Sequence, residues 1–253
     1  MPISERDIMG GIVKGLAVIE TFTTDRPRQS IAEAALASGL DRATTRRCLL
    51  TLAHRGYADY DGKFFTLTPK VLRLGVGGLA AMPLPRLVQP VLDALSDRIG
   101  ESASASILDE SEIVYVARAA QRKVMSIGLM PGSRLPAYCT SMGRVLLAAL
   151  PEGQVREILG DDPLPARTKN TLTEPHAILK AIAEVRSRGY AIVDQEVEIG
   201  LRSIAVPIVN MHGRTIAALN IGVAATQPHV EELVAAFLPA LRAAQADLAQ
   251  MLR

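Results

Sequence analysis

The sequence predicts an α+β protein in two parts: a small helical domain closed by a β-hairpin, then a larger domain in which helices flank an antiparallel sheet. Three observations carry this reading. Apolar residues at three- and four-residue spacing mark several helices, while alternating runs mark strands. Strands and helices follow one another without the regular βαβ alternation of a parallel sheet. Gly75, Gly77, Gly78, Pro83 and Pro85 crowd one stretch between the two parts, where a domain boundary belongs.

The first helix is read over Ile12 to Phe22, with Ile12, Leu16, Ile19 and Phe22 along one face. Ser30 followed three residues later by Glu33 is a capping box, and starts a short helix Ile31–Ala37. Ser38-Gly39-Leu40 makes a tight turn, and Asp41 caps a third helix, Arg42–Arg55, that ends at Gly56. Tyr57–Tyr60 and Lys63–Leu67 flank Asp61-Gly62, a strong hairpin signal. Helix, helix, turn, helix, hairpin is the order of a winged helix-turn-helix, placed at 8–68. A linker helix follows over Pro69–Met82 and is closed by Pro83 and Pro85, giving a linker of 69–85 and a second domain of 86–253. Within that domain, helices are expected at Leu87–Ile99, Ser141–Leu150, Glu152–Leu159 and Glu174–Gly189. Strands are expected at Ser102–Leu108, Ile113–Ala119, Val124–Leu129, Tyr190–Glu196, Ser203–Val209 and Thr215–Val223. A helix from Pro228 carries Val230, Leu233, Val234, Phe237, Leu241 and Leu248 on one face.

Composition narrows the function. The chain has 253 residues, 49% apolar and 21% charged, enough to bury a core and too apolar for wholesale disorder. The net charge is +2, and the first 70 residues alone hold ten basic groups against eight acids. That excludes a polybasic coat protein but leaves room for a local basic surface. Aromatics make up 4% and Trp is absent, which argues against stacking platforms for single-stranded nucleic acid. Cys48 and Cys139 lack metal spacing and are read as reduced thiols. The opening MPISERDIMGG is charged and has no apolar run of a signal peptide, and no stretch approaches the ~18 apolar residues of a membrane span. A soluble cytoplasmic protein with no cofactor and no metal is expected.

Asp41-Arg42-Ala43-Thr44-Thr45-Arg46-Arg47 opens the third helix with small side chains, two hydroxyls and three guanidiniums. A recognition helix needs this mixture, because small residues admit the backbone to the major groove, Arg reads guanine and Thr holds phosphate. With Ser30 and the hairpin lysine, the candidate DNA contacts are Ser30, Arg42, Thr44, Thr45, Arg46, Arg47 and Lys63.

At this point the likeness becomes specific. Lys14-Gly15-Leu16, Gly39-Leu40-Asp41-Arg42-Ala43-Thr44 and Leu67-Thr68-Pro69-Lys70-Val71-Leu72 resemble the DNA-binding half of an IclR-type transcriptional regulator. Leu135 through Arg144 and Gly200 through Pro207, with Ala217-Ala218-Leu219-Asn220-Ile221, resemble the branch that controls protocatechuate, 4-hydroxybenzoate and β-ketoadipate catabolism. The resemblance implies a winged helix joined by a linker helix to a GAF-like effector domain. It implies a small carboxylate effector, aromatic or a ring-cleavage product, held by backbone amides at the helix after Thr140. A helix start is a ready anion site. The positions matching the family's pocket are Ser141, Met142, Asp194, Glu196, Ser203 and Asn220, with Leu129 and Tyr138 as apolar walls. Tyr138 stands where many members have His, and Ser203 and Asn220 where others have Cys or Ser. Asp194 is expected to be protonated, to accept a phenolic hydroxyl, or to orient Arg202; for Arg202 itself a structural ion pair is the expectation.

The implied partners are double-stranded operator DNA, RNA polymerase, and further copies of the chain in a homodimer or a dimer of dimers. Val71, Leu72, Leu74, Val76 and Leu79 are too apolar for an exposed linker and are expected to meet a partner subunit. A second reading is a small-carboxylate sensor or enzyme whose N-terminal domain makes protein contacts only. Cys139-Thr140-Ser141 offers a nucleophile for it, but His54, His176, His212 and His229 have no partner motif, so no catalytic residue is assigned.

Overall fold

The computed structural model describes residues 4–23, 25–75, 83–121, 128–226 and 229–252. The chain divides into two compact units, Met1–Ala81 and Met82–Arg253.

The first unit holds α1 (Gly10–Glu20), β1 (Arg28–Ser30), α2 (Ile31–Ser38), α3 (Arg42–His54), β2 (Ala58–Tyr60) and β3 (Phe64–Leu67). The Ser30 hydroxyl accepts the Glu33 amide at 3.3 Å and the Glu33 carboxylate accepts the Ser30 amide at 2.7 Å, completing the capping box of α2. Gly39 ends that helix in the left-handed region at φ 68°, a conformation glycine adopts without a steric penalty. Asp41 then accepts the Thr44 amide at 2.8 Å and starts α3. The three short strands form an antiparallel sheet in the order β1-β3-β2. At the hairpin turn the Asp61 carboxylate accepts the Lys63 and Phe64 amides and an Arg28 guanidinium, which hold its pKa down at about 2. Val18, Ala34, Leu49, Ala58 and Phe65 form the core.

Two expectations change here. Strand β1 was not legible, because three residues are too few for an alternation to show. Helix α1 begins and ends two residues earlier than its apolar spacing predicts, and Ile12 and Leu16 are 57% and 49% exposed instead of buried. After the turn Pro69–Val71, helical conformation starts at Leu72 and is described through Gly75. Val76, Gly77, Gly78 and Leu79 lie outside the described residues.

The second unit comprises α4 (Pro83–Ile99), β4 (Ser102–Asp109), β5 (Glu112–Ala119), β6 (Arg134–Pro136), α5 (Ser141–Ala148), α6 (Glu152–Leu159), α7 (Pro175–Arg188), β7 (Ala191–Asp194), β8 (Leu201–Val209), β9 (Thr215–Ala224) and α8 (Val230–Met251). Its six-stranded sheet runs in the order β6-β5-β4-β9-β8-β7, antiparallel throughout. One face packs on α4 and α8 through Val116, Ile204, Val206, Leu219 and Ile221. The other carries Ile113, Tyr115, Ala205 and Ala218 against α5, α6 and α7. The alternation of Ile204, Ala205 and Val206 between the two cores is the period of two that the sequence displays.

Residues 76–82 of the expected linker helix lie outside the described residues, and Pro83 and Pro85 belong to the helix that follows. They occupy the first turn of α4, where a missing N–H breaks no intrahelical bond. Strand β7 ends at Asp194, two residues early, because Gln195 takes a positive φ of 59°. Of the expected strand Val124–Leu129, residues 124–127 lie outside the described residues and Leu129 is in irregular backbone. The final helix begins at Val230, and Pro228 also lies outside the described residues. Among the described residues no helix is long and apolar enough to cross a membrane.

The β4–β5 ladder pairs Ala105 with Ala117 but Ser106 with Tyr115, so Val116 is an extra residue, a β-bulge. A bulge shifts the alternation of everything beyond it. Ile113 and Tyr115 point toward α5, Val116 and Ala117 toward the opposite core, and Arg118 returns to the α5 side.

Candidate functional site: a basic helix and a polar cavity

In the first unit, the start of α3 presents Arg42, Ala43, Arg46 and Arg47 to solvent. Thr44 and Arg47, with Cys48, Thr51 and Leu52, line an open groove of about 320 Å³ whose other wall is Gly11, Lys14 and Gly15 of α1. The Lys63 ammonium lies 5.0 Å from the Phe64 ring at the tip of the hairpin, and the Arg28 guanidinium 4.1 Å from the same ring. Cationic side chains thus occupy both the helix and the wing.

Thr45 departs from this set. It is fully buried and its hydroxyl donates to the Asp41 carbonyl at 2.9 Å, so it packs into the core and presents nothing to solvent. The signal was available, since Thr45, Leu49 and Leu52 share a face at helical spacing. The Ser30 hydroxyl is engaged in the capping box.

In the second unit, α5 starts behind Thr140. The Thr140 hydroxyl oxygen accepts the Gly143 amide at 3.1 Å, and its carbonyl accepts the Arg144 amide at 2.9 Å. Helix geometry leaves the Ser141 and Met142 amides without an intrahelical acceptor. Thr140, Ser141 and Met142 line a cavity whose floor is the sheet: Tyr115 and Arg118 of β5, Leu135 of β6, Leu201 and Ser203 of β8, and Asn220 and Gly222 of β9, with Leu129 and Val197 at its sides. The Ser106 hydroxyl donates to the Met142 sulfur at 3.2 Å and fixes that side chain over the sheet. The Ser141 hydroxyl and the Asn220 amide oxygen are buried and have no hydrogen-bond partner among the described residues. Burial pushes the Tyr115 phenol up to about 12, so it stays neutral at physiological pH.

Two domain descriptions match this chain: the IclR helix-turn-helix domain over residues 11–62, and the bacterial transcriptional regulator IclR C-terminal domain over residues 77–250. The chain belongs to the IclR family of bacterial transcriptional regulators. It is 44% identical over 247 residues to the Pca regulon regulatory protein of Pseudomonas putida, covering 97% of this chain and 85% of that protein. It is 37% identical over 245 residues to the p-hydroxybenzoate hydroxylase transcriptional activator of Acinetobacter baylyi, covering 95% and 90%. Among solved structures, an IclR homolog from Microbacterium hydrocarbonoxydans complexed with 4-hydroxybenzoate superposes with a TM-score of 0.77 at 26% identity, covering 96% of this chain and 99% of that one. The expected α+β architecture, a winged helix-turn-helix followed by an antiparallel-sheet domain, is the one observed.

Within this IclR-family chain, the cavity gathers Leu129, Ser141, Met142, Ser203 and Asn220 from the expected pocket set. Tyr138, Asp194 and Glu196 are not among its lining residues. The Tyr138 hydroxyl donates to the Pro165 carbonyl, and its ring faces a separate cleft beside Ile158, Leu164 and Arg167. Asp194 accepts the Arg202 Nε–H at 2.5 Å, which is the structural ion pair expected for Arg202. Glu196 is buried with Arg144 at 2.7 Å, and the same oxygen accepts the Leu172 amide at 3.0 Å. Cys139 is fully buried, and burial pushes its thiol up to about 11, so almost none is thiolate at neutral pH and it packs as a small apolar residue.

Tyr115, Arg118, Leu135, Thr140, Val197, Leu201 and Gly222 also line the cavity and lie outside the expected pocket set. One signal was present. Ser102-Ala103-Ser104-Ala105-Ser106 alternates hydroxyl and methyl, which gives the central strand one polar face.

Proposed function

We propose that this regulator controls an operon for catabolism of protocatechuate, 4-hydroxybenzoate or β-ketoadipate, and that its effector is an aromatic carboxylic acid or a ring-cleavage product of one. The observation that carries the reading is the polar cavity at the start of α5, where helix amides without an intrahelical acceptor and two buried oxygens partnerless among the described residues suit a ligand bearing a carboxylate and hydrogen-bonding groups. Its free space is about 30 Å³, room for a water or two. An aromatic acid therefore enters as apolar lining side chains such as Leu129, which stands in irregular backbone at the cavity's side, rearrange. Thermal-shift titration of the full chain with 4-hydroxybenzoate, protocatechuate, β-ketoadipate, muconate and glyoxylate tests the reading, because a ligand of the native state raises its stability. No shift with any of the first four rejects it.

For the DNA half, α3 enters the major groove with Arg42, Thr44, Arg46 and Arg47, while Lys63 of the wing meets phosphate and the Ser30 hydroxyl contributes at the start of α2. Arg46→Ala or Arg47→Ala is expected to cost about 1–3 kcal/mol on operator DNA and to relax one base position. Lys63→Ala is expected to weaken all sequences alike and lower the salt slope by about one. Fluorescence anisotropy across a salt series reads both, and unchanged operator affinity in the two arginine variants refutes the groove assignment. The chain acts as a homodimer or a dimer of dimers, and contacts RNA polymerase at the promoter. Ile12, Val13, Leu16, Leu72 and Leu74, each about half exposed or more, supply apolar surface for a second copy.

An effector regulates only through unequal affinity for two arrangements of the protein. Gln89 is well placed to report occupancy. It sits on α4, the helix that follows the linker in the chain, and holds Arg118 of the cavity by both backbone groups: its side-chain oxygen accepts the Arg118 amide at 3.2 Å and its nitrogen donates to the Arg118 carbonyl at 3.1 Å. Gln89→Ala is expected to leave effector affinity within about threefold while removing about 0.5–2 kcal/mol of the effector's influence on operator affinity. Operator titrations with and without saturating effector measure that difference, and an unchanged ratio rules Gln89 out of the coupling.

A further inference from the structure

Arg118 brings a positive charge to the lining of the cavity. It is half-buried on β5, and the bulge at Val116 turns it to the cavity side of the sheet. One terminal nitrogen donates to the Ser104 hydroxyl at 2.9 Å, while the Nε–H is buried with no acceptor among the described residues. Among the described residues no carboxylate pairs with it. Its neighbour Tyr115 stays a neutral phenol and offers no negative charge. Burial depresses the Arg118 pKa, the direction expected of a cation short of water and partners, yet an arginine remains protonated under all ordinary conditions.

A buried donor left unsatisfied on a charged group is costly, and the cost disappears when an anion arrives. We infer that Arg118 is the ion-pair partner of the effector's carboxylate, acting together with the amides at the start of α5. This rests on the effector reading above, and adds to it a charge criterion: the site selects acids over neutral amides or aldehydes of the same shape. A guanidinium also favours a planar carboxylate, which it meets with two parallel N–H bonds.

The test uses the full chain, as wild type and as Arg118→Met, an uncharged side chain of similar length. Calorimetric titration with 4-hydroxybenzoate, protocatechuate and β-ketoadipate is expected to show a loss of about 10- to 100-fold in the variant. The preference for 4-hydroxybenzoate over 4-hydroxybenzamide is expected to collapse toward unity. Equal affinities in wild type and variant, or an unchanged acid-to-amide ratio, overturn the inference while leaving the effector reading intact. If the wild type binds none of these compounds the effector reading fails, and acetate decides on Arg118 alone. Millimolar acetate is expected to raise the melting temperature of wild type above an equal concentration of chloride, and not that of Arg118→Met. The same response in both proteins overturns it. The neutral variant is expected to fold at least as well as wild type, since it removes an uncompensated charge. Should it not fold, Ser104→Ala, which releases the guanidinium from its anchor, is expected to weaken acid binding severalfold, and no change there is equally fatal.

Discussion

Glu196→Ala is expected to destabilise the second unit by about 3–5 kcal/mol, a large part of the ~5–15 kcal/mol that holds a typical domain together. The Arg144 and Glu196 side chains are only 5% and 8% exposed and lie 2.7 Å apart. Removing the carboxylate strands a guanidinium in the interior, and also takes the acceptor from the Leu172 amide. Arg144 meanwhile ties the Tyr138 carbonyl to α5 through its Nε–H at 3.0 Å, so the turn before the helix loosens with it. The double variant Arg144→Met, Glu196→Leu is expected to recover most of the loss, because it removes the buried charge instead of orphaning it. Asp194→Ala is the control. Asp194 is 34% exposed, solvent screens its pair with Arg202, and the expected cost is about 1 kcal/mol or less. Urea unfolding of the four proteins settles the matter. A single Glu196 variant as stable as Asp194→Ala shows that the pair holds nothing in place.

Much of the architecture was legible because local chemistry writes it directly. The capping box at Ser30 and Glu33, the left-handed Gly39, the Asp41 cap and the Asp61-Gly62 turn each fix a boundary within a few residues, and the winged helix follows from their order. Helices of the second unit show in their apolar spacing, and β8 in the alternation of Ile204, Ala205 and Val206. Pairings across long stretches of chain were not legible. Arg144 and Glu196 are 52 residues apart, and no spacing rule joins them. Glu196 is therefore expected among the pocket residues, when it is spent on the buried pair with Arg144 of α5.

The cavity divides in the same way. Ser141 and Met142 follow from a helix start, a feature of local sequence. Arg118 does not, because alternation from Ile113 and Tyr115 assigns it to the opposite face, and only the extra residue at Val116 reverses that assignment. Bulges leave no mark on hydrophobic pattern in a run as uniform as Ile113–Ala119. The residue with the most pointed chemistry in the cavity is the one a period of two misplaces. Asp194 and Tyr138 err the other way. Both carry the right groups for a phenolic acid, and both spend them on the scaffold, one on Arg202 and one on the Pro165 carbonyl.

Gly143→Ala is expected to be the most damaging small substitution in α5. A Cβ built at Gly143 stands 2.1 Å from the Ala137 carbonyl oxygen, 2.4 Å from the Ala137 Cα and 2.5 Å from the Thr140 hydroxyl. Two of those atoms are backbone, in the turn Ala137–Cys139 that is itself fully buried, so neither side can yield by a rotamer change. Overpacking in a tight core costs about 1–3 kcal/mol. Here the clash also pushes against the Thr140 cap, whose loss adds about 1 kcal/mol, so a total near 3 kcal/mol or more is expected. The same displacement moves the Ser141 and Met142 amides, so effector affinity is expected to fall more than tenfold in whatever fraction still folds. Gly153→Ala separates this from any general effect of glycine. Gly153 lies in α6 with nothing within 4 Å of the added methyl, and alanine there is expected to stabilise the protein by about 0.5–1 kcal/mol through helix propensity. Thermal unfolding with and without 4-hydroxybenzoate compares the two. If Gly143→Ala melts within a degree or two of wild type and still responds to the ligand, the close approach of α5 to the Ala137 turn is not what sets the binding end of that helix.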